Sequence, residues 1–132
     1  MPVADTEVLF ALSPRDPRHG RVLKLLQERT DIKVPDVAVL EFQAVLRTRG
    51  RTFPEVKYAL LALRELLARY GAKEVQTLSS GMLVIQCELE ERHGLSFFDS
   101  LVAAAALALD REVISSDKAF DAVPGLSRVT LE

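Results

Sequence analysis

Short apolar runs that end in an acid or a hydroxyl alternate along this chain with longer segments carrying helix-start and helix-stop signals. Such alternation commits a sequence to strands joined by helical crossovers, and so to an α/β fold around a mainly parallel sheet. Val3-Ala4 runs into Asp5-Thr6, residues 32–34 into Pro35-Asp36, and Val113-Ile114 into Ser115-Ser116-Asp117. Residues 74–77 and the surroundings of Val129 complete four to five short strands, flanked by helices in a three-layer sandwich. Asp16-Pro17 supplies an N-cap and a first-turn proline for a helix over 16–29. Pro35-Asp36 opens the next helix, which Gly50 stops. Thr52-Phe53-Pro54-Glu55 is a capping box heading a long helix to Tyr70. Ser79 or Ser80 caps a further helix that Gly94 closes, and Ser96 to Asp99 repeats the capping-box spacing before an alanine-rich helix to Leu109. A turn of helix over 119–121 and a Pro124-Gly125 turn precede the last strand.

No repeat, low-complexity tract or linker interrupts the pattern, so residues 1–132 read as a single domain. Hydrophobic residues make up 48% and charged residues 27%, an ordinary globular balance that excludes disorder. The net charge of −2 excludes a polycationic nucleic-acid coat. Cys87 is the only cysteine, which excludes an intramolecular disulfide and a cysteine-based zinc ribbon. The two histidines, His19 and His93, have no zinc-protease spacing. The longest apolar run, Leu101 to Leu109, is nine residues, too short to span a bilayer. Asp5 and the missing basic leader argue against a signal peptide. A soluble, cytoplasmic protein is expected.

The informative feature is the company that some acids keep. Glu41 is the only charge in the ten residues Val37 to Leu46, and Asp99 the only one between Leu95 and Leu109. Asp5 follows Pro2-Val3-Ala4, and Asp117 follows Val113-Ile114-Ser115-Ser116. Taking an ionised carboxylate out of water costs several kcal/mol unless a cation or hydrogen bonds compensate, so four in one small domain require a reason. Parallel topology supplies one. Asp5 and Asp117 occupy strand carboxyl ends, Asp99 the first turn of its helix, and Glu41 lies about 7.5 Å down a helix at 1.5 Å per residue. All four belong to the sheet edge where open α/β folds hold ligands, and they converge if the first and fourth strands are neighbours. Like charges that close stay ionised only around a cation, and oxygen-only ligands point to Mg²⁺ or Mn²⁺. Each acid also has a local reading. Asp99 can cap the helix with Ser96, Asp117 can cap the 118–121 turn, Asp5 can serve a turn, and Glu41 can pair with Arg47, Arg49 or Arg64.

These residues resemble a PIN domain, particularly the VapC-like toxins of prokaryotic toxin–antitoxin pairs. Val3-Ala4-Asp5-Thr6-Glu7-Val8-Leu9 is similar to that family's opening, and Val39-Leu40-Glu41-Phe42 to Leu46-Arg47 to its helix with a conserved Glu. Gly94-Leu95-Ser96-Phe97-Phe98-Asp99-Ser100-Leu101-Val102-Ala103-Ala104 is the most specific match. Val113-Ile114-Ser115-Ser116-Asp117-Lys118-Ala119-Phe120 resembles the final Asp-x-x-Phe element, with Val123-Pro124-Gly125-Leu126 following. The resemblance covers essentially the whole chain. It implies a PIN fold and a Mg²⁺- or Mn²⁺-dependent endoribonuclease with Asp5, Glu41, Asp99 and Asp117 as its acidic quartet. It further implies a homodimer and inhibition by a cognate antitoxin. Glu7 departs from the family's usual Asn or Ser; a charge there can add a ligand or repel phosphate, and a side chain facing solvent is the expectation.

Water activated by bound metal would cut RNA to 5′-phosphate and 3′-hydroxyl ends. The separated histidines give no sign of a metal-free alternative. Arginines outnumber lysines 12 to 5, which suits bidentate phosphate recognition. Arg47, Arg49 and Arg51 cluster beyond Glu41, and Arg15, Arg18 and Arg21 near the first helix. Thr48 and Arg49 project nearest to the Glu41 face, and Arg49 is the first choice for an RNA contact; Thr6 and Ser115 are further expected substrate contacts. Cys87, Met82, Phe97, Phe98 and Phe120 are expected to pack. The leucines of the 54–69 helix exceed what one sheet face needs and mark a candidate dimer or antitoxin surface. Competing readings are a PIN nuclease of RNA processing, a non-catalytic PIN-like RNA- or protein-binding module, and a phosphoacceptor signalling domain. The last is disfavoured because Glu41 lies inside a helix rather than at a strand end.

Overall fold

The first strand, β1 (Val3–Ala4), is two residues long and wholly buried. It is followed by β2 (Lys33–Pro35), β3 (Lys73–Val75), β4 (Glu112–Ile114) and β5 (Ser127–Val129). The computed structural model describes residues 1–131 and orders these strands β3-β2-β1-β4-β5, every pair parallel. Burial on all sides explains why β1 carries only Val and Ala: a central parallel strand has no solvated face for a polar residue. Val3 lies opposite Lys33 on one side and Val113 on the other, and Ala4 lies opposite Ile114. Val3, Val34, Val113 and Ile114 are at most 1% exposed, and each such side chain contributes roughly 1.5–3 kcal/mol on burial.

Six helices flank the sheet, making it the middle layer of an α/β sandwich: α1 (Thr6–Phe10), α2 (His19–Glu28), α3 (Asp36–Thr48), α4 (Phe53–Arg69), α5 (Ser80–His93) and α6 (Phe97–Ala108). A 3₁₀ turn spans Lys118–Ala122. Ala103, Ala104, Ala105 and Ala106 are fully buried, and their small side chains let α6 lie close against β1 and β4. The capping box at Thr52 forms with both its reciprocal contacts, and Gly94 ends α5 in the left-handed conformation that favours glycine. Among the described residues no helix is long and apolar enough to cross a membrane.

Some boundaries differ from expectation. Residues 6–10 form α1 directly off β1, where no helix was expected. Asp16-Pro17 does not open α2, which begins at His19. The Asp16 carboxylate instead accepts from the Arg18 N–H and pairs with its guanidinium, holding a turn. Strand β3 stops at Val75, and Thr77 turns away to donate its N–H and hydroxyl to Asp36. Met82 and Phe120 pack as expected, but Cys87 is exposed and Phe97 is 55% exposed.

From β1 the chain steps outward to β2 and then β3; after β4 it steps the opposite way to β5. The connections leaving β1 and β4 therefore diverge, and a crevice opens beyond the carboxyl ends of these two adjacent strands. Asp5 follows β1 at that point, and Ser115 follows β4.

Candidate active site

The crevice is a cleft of about 560 Å³, and Asp5, Glu41 and Asp99 line it. Asp117 does not line the cleft but stands near enough to Asp99 for its charge to raise that acid. Asp99 also feels the charge of Glu41, and Asp5 feels the charge of Asp99. All four acids expected at one edge therefore interact there, with Asp99 as the shared neighbour.

Each is held by a local device. Asp5, 6% exposed, caps α1: its Oδ1 accepts from Thr6 N–H at 2.8 Å, while Oδ2 accepts from Ser115 Oγ at 2.8 Å. Glu41 accepts a hydrogen bond from the Thr6 hydroxyl. None of the arginines weighed as its partner takes that place: Arg47 bonds Gln43, and Arg49 lies over the Phe10 ring at 5.0 Å. Ser96 caps α6 by accepting the Asp99 N–H at 3.2 Å, and the Asp99 carboxylate sits in the first turn. Asp117 Oδ1 accepts from Ala119 N–H at 2.9 Å and caps the 3₁₀ turn. For Asp5 and Asp117 the local capping role and the shared edge coexist, since a carboxylate has lone pairs beyond those a cap uses; for Glu41 the local reading as an arginine partner does not hold.

Electrostatics separate these acids from solvated ones. Burial pushes Asp5 up to about 7; hydrogen bonds from Ser115 and Thr6 oppose it, and the charges of Glu7 and Asp99 add to it. Burial, then the charge of Asp117, pushes Asp99 up to about 6, against a hydrogen bond with Ser96 and with Glu41 adding. Burial also raises Glu41, opposed by the Thr6 hydroxyl. Of the arginines on the cleft wall, Arg18 pairs with Glu7 and Asp16 and Arg51 with Glu55, while Arg49 lies over the Phe10 ring; none pairs with the four acids among the described residues.

Of the expected substrate contacts, Arg49 lies on the cleft wall and is exposed. Thr6 lines the cleft but directs its hydroxyl to Glu41. Ser115 is fully buried, and its hydroxyl bridges Asp5 Oδ2 and the Asp117 N–H. Both hydroxyls hold carboxylates in place. Glu7, expected to face solvent, instead turns inward and binds Arg18 and Ser116. Its place went unread because α1 was not expected, although Asp5 followed by Val8, Leu9 and Leu12 has cap-and-stripe spacing.

Among the described residues no three His, Cys, Asp or Glu side chains form a ready-made ion cage. The donor chemistry still suits a hard divalent ion: every candidate ligand is a carboxylate oxygen, and clustered acids raised by burial and by one another lack a counter-charge. A second, apolar groove of about 410 Å³ lies between α1, α3 and α4, walled by Leu12, Phe42, Leu46, Leu63 and Leu66.

The family model of the PIN domain matches residues 3–126. Comparison with curated proteins finds no match. Among solved structures, the chain is similar to the Mycobacterium tuberculosis toxin VapC20, which cleaves the sarcin-ricin loop, with a TM-score of 0.72 and 18% identity over 92% of this chain and 94% of that one. It is similar to a chain of VapBC2 from Rickettsia felis bound to a promoter DNA fragment, with a TM-score of 0.69 and 19% identity over 97% and 96%. A toxin–antitoxin complex from Klebsiella pneumoniae gives 0.70 and 16% over 100% and 98%. Identities this low speak to the fold, which is that of VapC toxins.

Proposed function

We propose, for a chain that belongs to the PIN-domain family, that the acidic edge is the active site of a divalent-metal-dependent endoribonuclease, the cytoplasmic toxin of a VapBC-type pair. One observation carries this reading: Asp99 interacts with Glu41, Asp117 and Asp5 in a cleft where burial and mutual repulsion leave the group short of positive charge.

Asp5, Glu41, Asp99 and Asp117 would hold Mg²⁺ or Mn²⁺. When bound, the ion lowers the pKa of a water and neutralises charge at the phosphate. Ser115 keeps Asp5 oriented, and Thr6 does the same for Glu41. Arg49 offers a guanidinium fork to an RNA phosphate, steadied over the Phe10 ring. A carboxylate of the quartet accepts the proton of the attacking water. Because water rather than a ribose hydroxyl attacks, the ends are a 5′-phosphate and a 3′-hydroxyl. The apolar groove between α1, α3 and α4 is the seat we assign to an antitoxin segment; Leu61 and Tyr58, exposed on α4, are the surface for a second copy.

Purified protein incubated with RNA in Mg²⁺, in Mn²⁺ and in EDTA tests the reading. Cleavage in either metal, its loss in EDTA and its loss in Asp99→Asn are expected. Cleavage that survives EDTA, or a fully active Asp99→Asn, overturns it.

A further inference from the structure

Glu7 makes contacts that the proposed chemistry does not use. Its Oε1 accepts the backbone N–H of Ser116, and its Oε2 accepts the Ser116 hydroxyl at 2.7 Å and the Arg18 guanidinium at 2.9 Å. Arg18 is anchored in turn by Asp16, at 3.0 Å through Nε and 2.8 Å through the terminal nitrogen. An acid needing only a counter-ion would be served by Arg18 alone. Gripping one residue by both its N–H and its hydroxyl fixes that residue's place and its orientation.

The gripped residue lies between two that matter. Ladder bonding continues from β4 only as far as Ser115, whose N–H meets the Val129 carbonyl at 3.0 Å. Beyond it the chain leaves the sheet, and Ser116 is tied to α1 by Glu7. The next residue, Asp117, has its N–H on Ser115 Oγ at 3.0 Å and its Oδ1 on the Ala119 N–H at 2.9 Å, with its charge felt by Asp99. Both Glu7 oxygens are engaged, and two of their three donors come from the segment that carries Asp117.

We propose that Glu7 is a positioning residue: it clamps Ser116 to α1 and so presents Asp117 to Asp99 at the cleft. The inference rests on the reading of the acidic edge as an ion site. It separates Glu7 from the quartet, because Glu7 acts through Ser116 and not as a ligand.

Glu7→Gln and Glu7→Ala divide the alternatives. In Glu7→Gln the amide carbonyl still accepts the Ser116 N–H and the amide NH₂ donates to Ser116 Oγ, so the clamp survives while the pair with Arg18 is lost. Manganese titration by calorimetry on the full chain, together with hydrogen exchange of residues 115–118 in EDTA, reads the result. Glu7→Ala is expected to bind Mn²⁺ about tenfold more weakly and to exchange faster at 115–118, with α6 protection unchanged as the sign of an intact fold. Glu7→Gln is expected to stay within about twofold of the parent in affinity, with 115–118 as protected as before. A Glu7→Ala protein that binds and exchanges like the parent overturns the proposal. So does a Glu7→Gln protein as weak as Glu7→Ala with its loop still protected, since charge would then be the requirement. If the parent itself takes up no Mn²⁺, the ion site fails and exchange alone judges the clamp: faster exchange in Glu7→Ala supports it, and unchanged exchange overturns it.

Discussion

Ser115 Oγ donates to Asp5 Oδ2 at 2.8 Å, joining residues 110 positions apart, and Ser115 Oγ also accepts the N–H of Asp117 at 3.0 Å. One buried hydroxyl therefore sets two of the four acids. Ser115→Ala leaves a buried carboxylate oxygen and a backbone N–H without this partner. The expected loss is about 1–3 kcal/mol of unfolding free energy, read by urea denaturation in EDTA, with weaker Mn²⁺ uptake beside it.

The raised acids predict an unusual pH response of the metal-free protein. Unfolded Asp titrates near about 3.9, whereas Asp5 is pushed up to about 7 and Asp99 to about 6. Between those limits the folded chain holds protons that the unfolded chain has released. The stability from these two groups is therefore complete below the unfolded value and is lost as pH rises through 6 and 7. The melting temperature in EDTA is expected to fall between about pH 4.5 and 7.5, to fall less in Asp99→Asn, and to recover with Mn²⁺ at the alkaline end. Groups held low, such as Asp36 and Asp16, act only at more acid pH and leave this window clear.

Asp36 offers the opposite case, an acid that serves the fold. Burial works to raise it, but hydrogen bonds from the Thr77 hydroxyl and from the N–H groups of Leu78, Thr77 and Val37 prevail and hold it below the usual carboxylate range. It ties the start of α3 to the segment between β3 and α5. Asp36→Ala is expected to cost about 2–3 kcal/mol by denaturant titration. Mn²⁺ affinity at temperatures where the variant is folded should be unchanged.

Arg49 predicts a substrate effect with neither signature. Arg49→Ala removes a cleft-wall guanidinium that has no ion pair among the described residues, so metal uptake should stay as it is and stability should fall by no more than about 1 kcal/mol with the Phe10 contact. RNA affinity should drop, and the slope of log affinity against log salt should decrease by about one. Fluorescence anisotropy on Asp99→Asn carrying this change, at several salt concentrations, reads both.

That these four acids gather at one edge was legible because Glu41 and Asp99 interrupt apolar stretches, Asp5 and Asp117 follow short apolar strands, and a parallel sheet sends strand ends and helix starts to one side. Glu41 shows this best: a single charge inside ten helical residues marks a face that is neither core nor open surface. The hydroxyls were harder to read. Thr6 meets Glu41 across 35 positions and Ser115 meets Asp5 across 110, and no local spacing encodes either pairing. Glu7 was misread for the same reason, since its partner Ser116 is 109 residues away. Cys87 was assigned to the core from residue type alone, yet it lies on the outer side of α5, whose buried residues are Met82, Gln86 and Leu89. The apolar residues run nearly all round that helix, so periodicity carried no signal for which side faces in.

The order β3-β2-β1-β4-β5 has a consequence for biosynthesis. Strand β1 is made first but waits for β4, more than a hundred residues later, to fill its second side. Until that stretch leaves the ribosome, Asp5 lacks Ser115 and Asp99 lacks Asp117. A nascent chain therefore lacks the assembled acidic edge until residues 112–117 have emerged and paired with β1.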